Sequence, residues 1–392
     1  MQKFTFTKTP KLAFEAGGIK KIHNIVSQFG KTALIITGGF SLDATGRWDE
    51  IARILDHASI AFYHTSLQGE PTPDFVDATT DRFREKNIDV VLSIGGGSVL
   101  DAGKAVSAML TQDVSVTEFI EGIGTGIHDG RKLPFIAAPT TSGTGSEATK
   151  NAVLRRVGVD GFKKSIRHDN FVPDIALIDP ELMVSCPAHV TAACGMDAFS
   201  HLLESYLSPR ANPMSDALAY SGLSVLKDNL VSACTTGTSD VDVRAGMAYA
   251  AYLAGITLAN AGLGVIHGFA SVIGGFFDIP HGVVCGTLLC SSTRKNIAAL
   301  KERDPEGTGL DKYARLGALF SGKPYQKSEK AVLADAFTEI TYEWTDLLEI
   351  RRFGDYGVVD SNVDMIVEKT KNRDNPIELT QLEIREIFIE RM

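Results

Sequence analysis

Few of the usual signposts are present in this sequence. Its five cysteines, Cys186, Cys194, Cys234, Cys285 and Cys290, form no CxxC pair, and their number is odd in a chain of 392 residues. That speaks against a disulfide framework and for free thiols in a reducing compartment. Basic residues are in deficit: 39 Lys and Arg against 48 Asp and Glu give a net charge of -9. A nucleic-acid binder needs a basic face for phosphates, so no nucleic-acid partner is expected. The opening stretch MQKFTFTKTPKLAFEAG has no long apolar core, so no signal peptide is expected and the expected location is cytoplasmic. Between Ala245 and Phe277 there is no Asp, Glu, Lys or Arg. The run is long enough to span a bilayer, but it contains Asn260, His267 and Ser271, is dense in Gly and Ala, and has no flanking basic cluster. It reads as close-packed core helices, not a membrane span. Internal repeats and low-complexity tracts are not evident.

The remaining composition is that of a folded soluble protein, with 44% apolar and 22% charged residues. The length exceeds what one core usually serves, so two domains are expected. Buried strands are read at Thr32–Thr37, Val90–Ile94, Phe135–Pro139 and Ile175–Asp179. Amphipathic helices are read in RWDEIARILDHA and PDFVDATTDRFREKN. This alternation implies a parallel sheet with helical crossovers. From about Pro187 the periodicity is mainly helical. The expected division is an α/β dinucleotide-binding domain over residues 1–184 and an all-α domain over 185–392. Lys301–Gly309 reads as an exposed loop. Thr380 with Glu383 reads as the capping box of a final helix.

Three places carry chemistry. VVLSIGGGSVLDAGKA places Gly95, Gly96 and Gly97 between a buried strand and a helix opening at Ser98. Glycines let the backbone approach a ligand, and the helix start offers free N–H groups and a positive dipole end for a pyrophosphate. This turn is not GxGxxG, and no GKS or GKT follows it, so neither the usual Rossmann form nor a P-loop is supported. PTTSGTGSEAT (Pro139–Thr149) gathers hydroxyls around two glycines after another strand. It reads as a nucleotide-lining loop or as a flexible surface loop. In GMDAFSHLLESY, Asp197 and His201 stand four apart beside an apolar stripe, and so share one helix face. Alone they read as an ion pair or as half of a metal site. Together with His267 and His281 they make a three-nitrogen, one-oxygen set suited to Fe(II), Zn(II) or Mn(II), and the lack of a thiolate favours iron over a structural zinc. The other six histidines, at 23, 57, 64, 128, 168 and 189, have surface-like settings and receive no role.

These segments, with PDIALIDPEL and NPIELT, resemble the iron-containing (group III) alcohol dehydrogenases over nearly the whole chain. The resemblance implies an N-terminal, Rossmann-like dinucleotide-binding domain and a C-terminal helical domain with the metal in the cleft, an architecture shared with dehydroquinate synthase. It implies metal ligation by Asp197, His201, His267 and His281. It places the pyrophosphate at Gly96, Gly97 and Ser98, near Asp101, with Thr140, Thr141 and Thr144 contributing from the second loop. It sets Lys163 against the nicotinamide ribose and Asn151 near the substrate. The implied activity is hydride transfer between a nicotinamide and a small alcohol or aldehyde whose oxygen sits on the metal. A homodimer is usual for such proteins.

Two departures stand out. Many relatives have a second histidine where this chain has Ser271, so the proton must leave by another route, through Ser271 and water or the cofactor ribose. NAVLRR places Arg155 and Arg156 where relatives often have an acid; the pair reads as a solvated turn or as a holder of an acidic group. Cofactor choice rests on IITGGFS. Gly38 and Gly39, followed by Ser41, stand where NAD-preferring relatives often carry Asp, so NADP is expected to be accepted and to be favoured slightly over NAD. The alternatives are a dehydroquinate synthase-like or glycerol dehydrogenase-type NAD and zinc enzyme, and a homologue that binds nucleotide and metal without catalysis.

Overall fold

The structure is a computed structural model that describes residues 3–158 and 161–392. Its strands, in chain order, are β1 (Lys11–Phe14), β2 (Thr32–Gly38), β3 (Ala61–Leu67), β4 (Val90–Gly95), β5 (Phe135–Pro139), β6 (Asn151–Arg156), β7 (Phe162–Arg167) and β8 (Ile175–Ile178). Six of them form one parallel sheet in the order β1-β8-β5-β4-β2-β3, and β6 and β7 pair separately and antiparallel. The inner strands are continuous apolar runs because both of their faces are covered. Along β2, Leu34 and Ile36 join one core with Val76 and Phe83, while Ala33 and Ile35 join another with Ile22, Ile51 and Leu55. The period of two in strand side chains produces this division.

The helices of this half are α1 (Ile22–Val26), α2 (Ser41–Ala44), α3 (Arg47–His57), α4 (Pro73–Phe83) and α5 (Gly97–Met109). The second half is helical: α6 (Ala188–Leu207), α7 (Pro213–Cys234), α8 (Val241–Ala261), α9 (Val265–Phe276), α10 (His281–Arg303), α11 (Thr308–Ser321), α12 (Lys330–Leu347), α13 (Asp360–Lys369) and α14 (Gln381–Ile389). The architecture is therefore a parallel-sheet α/β domain followed by a largely helical one. α6 lies at the centre of the second half, packed against α7, α8 and α10. The uncharged run is most of α8 together with α9, bent by 100° at their junction, and among the described residues no single helix is long and apolar enough to cross a membrane.

Several local readings change. Edge strands β1 and β3 are additions, as are β6 and β7. Lys301–Arg303 belong to α10, so only residues 304–307 separate it from α11. The final helix begins as expected: Glu383 N donates to Thr380 Oγ1 at 3.2 Å, and Thr380 N donates to Glu383 Oε2 at 2.8 Å. His128 is buried between Phe119 and Phe171, not at the surface.

Candidate metal and cofactor site

Asp197, His201, His267 and His281 come together from three helices. Asp197 and His201 stack one turn apart on α6, His267 lies in the first turn of α9, and His281 opens α10 directly after Pro280. A Cβ on Gly282 would collide with the Ala193 carbonyl, so the glycine lets the start of α10 lie against the α6 backbone. One potential ligand atom from each of the four residues falls within 4.8 Å of the others. Asp197 Oδ1 is 3.7 Å from Nε2 of both His267 and His281, and 3.8 Å from His201 Nδ1. Asp197, His201 and His267 are buried, whereas the His281 side chain keeps 26% of its exposure and marks the open face.

The donors fit a divalent cation. Asp197 Oδ1 and His201 Nδ1 are buried without a hydrogen-bond partner, a costly arrangement unless something else binds there. Burial alone would raise the Asp197 carboxyl, but the facing imidazoles of His201, His281 and His267 hold it well below the usual carboxylate range. Burial pushes His201 down to about 4 and drives His281 well below the ordinary imidazole value. Burial also opposes charge on His267, yet its contacts with Cys285, Asp197 and Glu204 raise it well above that value. An ionised carboxylate facing unprotonated imidazoles is the donor set that iron or zinc takes, and on His267 a proton and a cation would compete.

Two further residues shape this cluster. Glu204, one turn after His201, accepts from His267 Nδ1 and from Ile266 N, both at 2.7 Å. It fixes the His267 tautomer so that Nε2 faces the cluster. Its spacing from Asp197 and His201 puts it on the same face of α6, which is the signal that could have found it. Cys285 Sγ lies 3.6 Å from His267 Nε2 and 3.8 Å from His281 Nε2, and burial pushes its thiol up to about 12. It stands four residues after His281 on one face of α10, and that spacing is the signal that could have found it.

The glycine turn lies at the carboxyl ends of the parallel strands, where α/β sheets bind ligands. Gly96 is the N-cap of α5 and has no side chain to occupy the free N–H groups. A Cβ on Gly97 would come within 2.5 Å of Thr144 Oγ1, so the two loops meet there. A cleft of about 550 Å³ is lined by Ser41, Gly96, Thr140, Thr141, Leu182 and Val190 among others. A glycine cradle, a helix start and hydroxyls at one cleft fit a dinucleotide pyrophosphate. The second loop is largely buried, not at the surface: Thr140 N donates to Gly95 O at 2.9 Å, and Gly143 packs against Cys194, one turn before Asp197. The cofactor cleft and the metal cluster are thereby neighbours.

Two family models divide the chain between them: iron-containing alcohol dehydrogenase over residues 9–180, and the Fe-containing alcohol dehydrogenase family C-terminal domain over residues 191–392. The chain belongs to the iron-containing alcohol dehydrogenase family. The NAD-dependent methanol dehydrogenase of Bacillus methanolicus is 33% identical over 298 residues, 75% of this chain and 76% of that protein. The 1,3-propanediol dehydrogenase of Klebsiella pneumoniae is 32% identical over 366 residues, 92% of this chain and 91% of that protein. A crystal structure of a 1,3-propanediol oxidoreductase has a TM-score of 0.88 at 28% identity, with 100% of both chains covered.

In this iron-containing alcohol dehydrogenase the other expected residues have varied settings. Gly38 ends β2, Gly39 follows it, and Ser41 opens α2. Ser98 lies in the first turn of α5. Asp101 is engaged internally: it accepts from Ser146 Oγ and, at 3.0 Å, from Val153 N. Lys163 pairs with Glu70 at 2.7 Å and packs against Gly274 of α9. Ser271 Oγ donates to the His267 carbonyl at 2.9 Å and accepts from Arg373. Arg155 and Arg156 are not a solvated turn but part of β6. Arg155 is buried, donating to the carbonyls of Gly274 at 2.9 Å and Phe277 at 2.7 Å, with Asp278 at 3.1 Å. Its charge closes the C-terminal end of α9.

Proposed function

We propose that this protein is a cytoplasmic, homodimeric dehydrogenase that interconverts small alcohols and aldehydes with a nicotinamide cofactor and one Fe(II), Zn(II) being the alternative metal. The observation that carries the reading is the pair of orphaned buried atoms, Asp197 Oδ1 and His201 Nδ1, inside a four-residue donor set next to a glycine-capped helix. Asp197, His201, His267 and His281 would hold the ion, which supplies Lewis-acid polarisation of the substrate oxygen. Gly96, Gly97, Ser98, Thr140, Thr141 and Thr144 would hold the dinucleotide, whose nicotinamide supplies the hydride chemistry. Glu204 keeps His267 in one tautomer, and the buried walls of α6 and α9 exclude water. Lys163 acts at the edge of the nicotinamide cleft, and Asp101 braces the second loop from behind through Ser146. Ser271 provides a hydroxyl where an imidazole would relay a proton, and that hydroxyl already donates to a main-chain carbonyl. The proton therefore leaves by water or the cofactor ribose.

NADP(H) is the favoured cofactor. Gly38 and Gly39 present no carboxylate to repel a 2′-phosphate, and the acids lining that cleft, Glu50 and Glu181, both pair with Arg47, at 2.9 and 3.3 Å. The test is anaerobic reconstitution with Fe(II), followed by oxidation of NADPH or NADH with short aldehydes. A higher kcat/KM with NADPH is expected; a strong NADH preference rejects the cofactor assignment. Absence of turnover with either cofactor would favour the non-catalytic alternative.

A further inference from the structure

Ser271 stands four residues, about one helical turn, beyond His267, about 6 Å along the axis of α9. Its hydroxyl accepts from a guanidinium N–H of Arg373, which arrives from the loop between α13 and α14. That loop is clamped. Asp374 N donates to Leu263 O at 3.1 Å, and Asn375 Oδ1 accepts from Val265 N at 3.4 Å and from Asn296 Nδ2 at 3.3 Å. Asn372 ties back to Leu379 through both its amide groups. A Cβ on Gly268 would collide with the Lys371 carbonyl, so the loop lies directly on the first turns of α9. Within this fixed segment Arg373 has φ +53°, in the left-handed region that residues other than glycine rarely adopt. A strained residue held by ordered neighbours is a marker of function.

The guanidinium is also left without a counter-charge. Among the described residues it makes no ion pair and its one side-chain partner is Ser271. The acids around it are committed elsewhere: Glu204 to His267 and Ile266 N, and Asp374 to Arg210 at 3.2 Å. Its other charged neighbour, Arg167 at the end of β7, is a second cation, paired with Glu121 at 2.6 Å. Arg373 itself is exposed. An unpaired planar fork bonded to a hydroxyl that lies one helical turn from a candidate metal ligand suits bidentate recognition of an oxyanion.

We propose that Arg373, positioned by its hydrogen bond to Ser271, receives the anionic end of the substrate, so that the favoured substrates are short aldehydes or alcohols bearing a carboxylate or sulfonate. The cation that selects them is then Arg373 and not Arg155, whose donors are spent on α9. The inference rests on the dehydrogenase reading above, and its test separates the two. Fe(II)-loaded wild type, R373Q and R373K are compared on 4-oxobutanoate, sulfoacetaldehyde and butanal with one cofactor. In wild type the kcat/KM ratio of an anionic aldehyde to butanal is expected to exceed about tenfold, and R373Q to lower that ratio about 10- to 100-fold, chiefly through KM. R373K restores part of it, which separates lost charge from a lost fold. The anion with the larger ratio identifies the chemistry preferred. Calorimetric binding of succinate, which needs no turnover, is expected to weaken by a similar factor in R373Q. Selectivity and succinate binding that ignore residue 373, or a wild type that prefers butanal, overturn the inference alone. A wild type that turns over none of the three aldehydes overturns the dehydrogenase reading as well.

Discussion

The protein buries two clusters of ionisable side chains, one in each half, and they are finished differently. In the sheet domain Lys104 is fully buried, yet it donates to Ser146 O and Asn151 O, each at 2.8 Å, to Thr149 Oγ1 at 3.0 Å and to Ser146 Oγ at 3.1 Å. Asp101 beside it is satisfied by Ser146 and Val153. In the helical domain Asp197 and His201 are as deeply buried and leave one polar atom each unpartnered. A cluster that serves only the fold closes on itself, because an unpaired buried charge costs several kcal/mol. One that serves a ligand keeps donors open.

The largest effect should come from the open cluster. D197N removes the one anionic donor, so kcat/KM should fall by about 10³-fold or more, and Fe(II) or Zn(II), expected to raise the melting temperature of wild type, should no longer raise that of the variant. Retained activity with an unchanged metal-induced shift would mean that the cluster is structural.

The closed cluster should break in the opposite manner. K104M strands Asp101 and Glu147, and should cost about 3–5 kcal/mol in urea unfolding whether or not metal is added. A loss that appears only in the loaded enzyme would place Lys104 in the chemistry.

Glu147 sharpens the contrast through pH. Burial raises its carboxyl from 4.5 to about 7. Between those values the folded state holds a proton that the unfolded chain releases, so stability contributed below pH 4.5 is lost as pH rises to 7. E147Q cannot titrate and should lose less across that window, by at most about 3 kcal/mol. Parallel stability curves for wild type and E147Q would show that Glu147 ionises normally. The smallest effect is expected at Glu204, where E204Q should weaken metal affinity about 10- to 100-fold without abolishing it; unaltered affinity would remove its orienting role.

Much of this was legible beforehand because local patterns encode it. Strands buried on both faces announce themselves as continuous apolar runs, and the Asp197–His201 spacing puts both on one helix face. The glycine turn and the Thr380–Glu383 cap are likewise contiguous. What was missed depends on partners far along the chain. β3 is an edge strand, largely solvated and with His64, Thr65 and Ser66 in it, so no apolar run marks it. NAVLRR looks like a charged turn until Arg155 is seen closing α9, about 120 residues away. Arg373 meets Ser271 across 102 residues of sequence, and nothing near Arg373 hints at it. Glu204 was within reach, since it continues the face that Asp197 and His201 begin.

Elemental analysis after anaerobic loading with Fe(II) and exhaustive dialysis tests the central claim most directly. Wild type should retain about one ion per chain, and a D197A/H281A double variant with an unchanged circular-dichroism spectrum should retain almost none. Equal metal content in the two proteins, or none in wild type, would contradict the account.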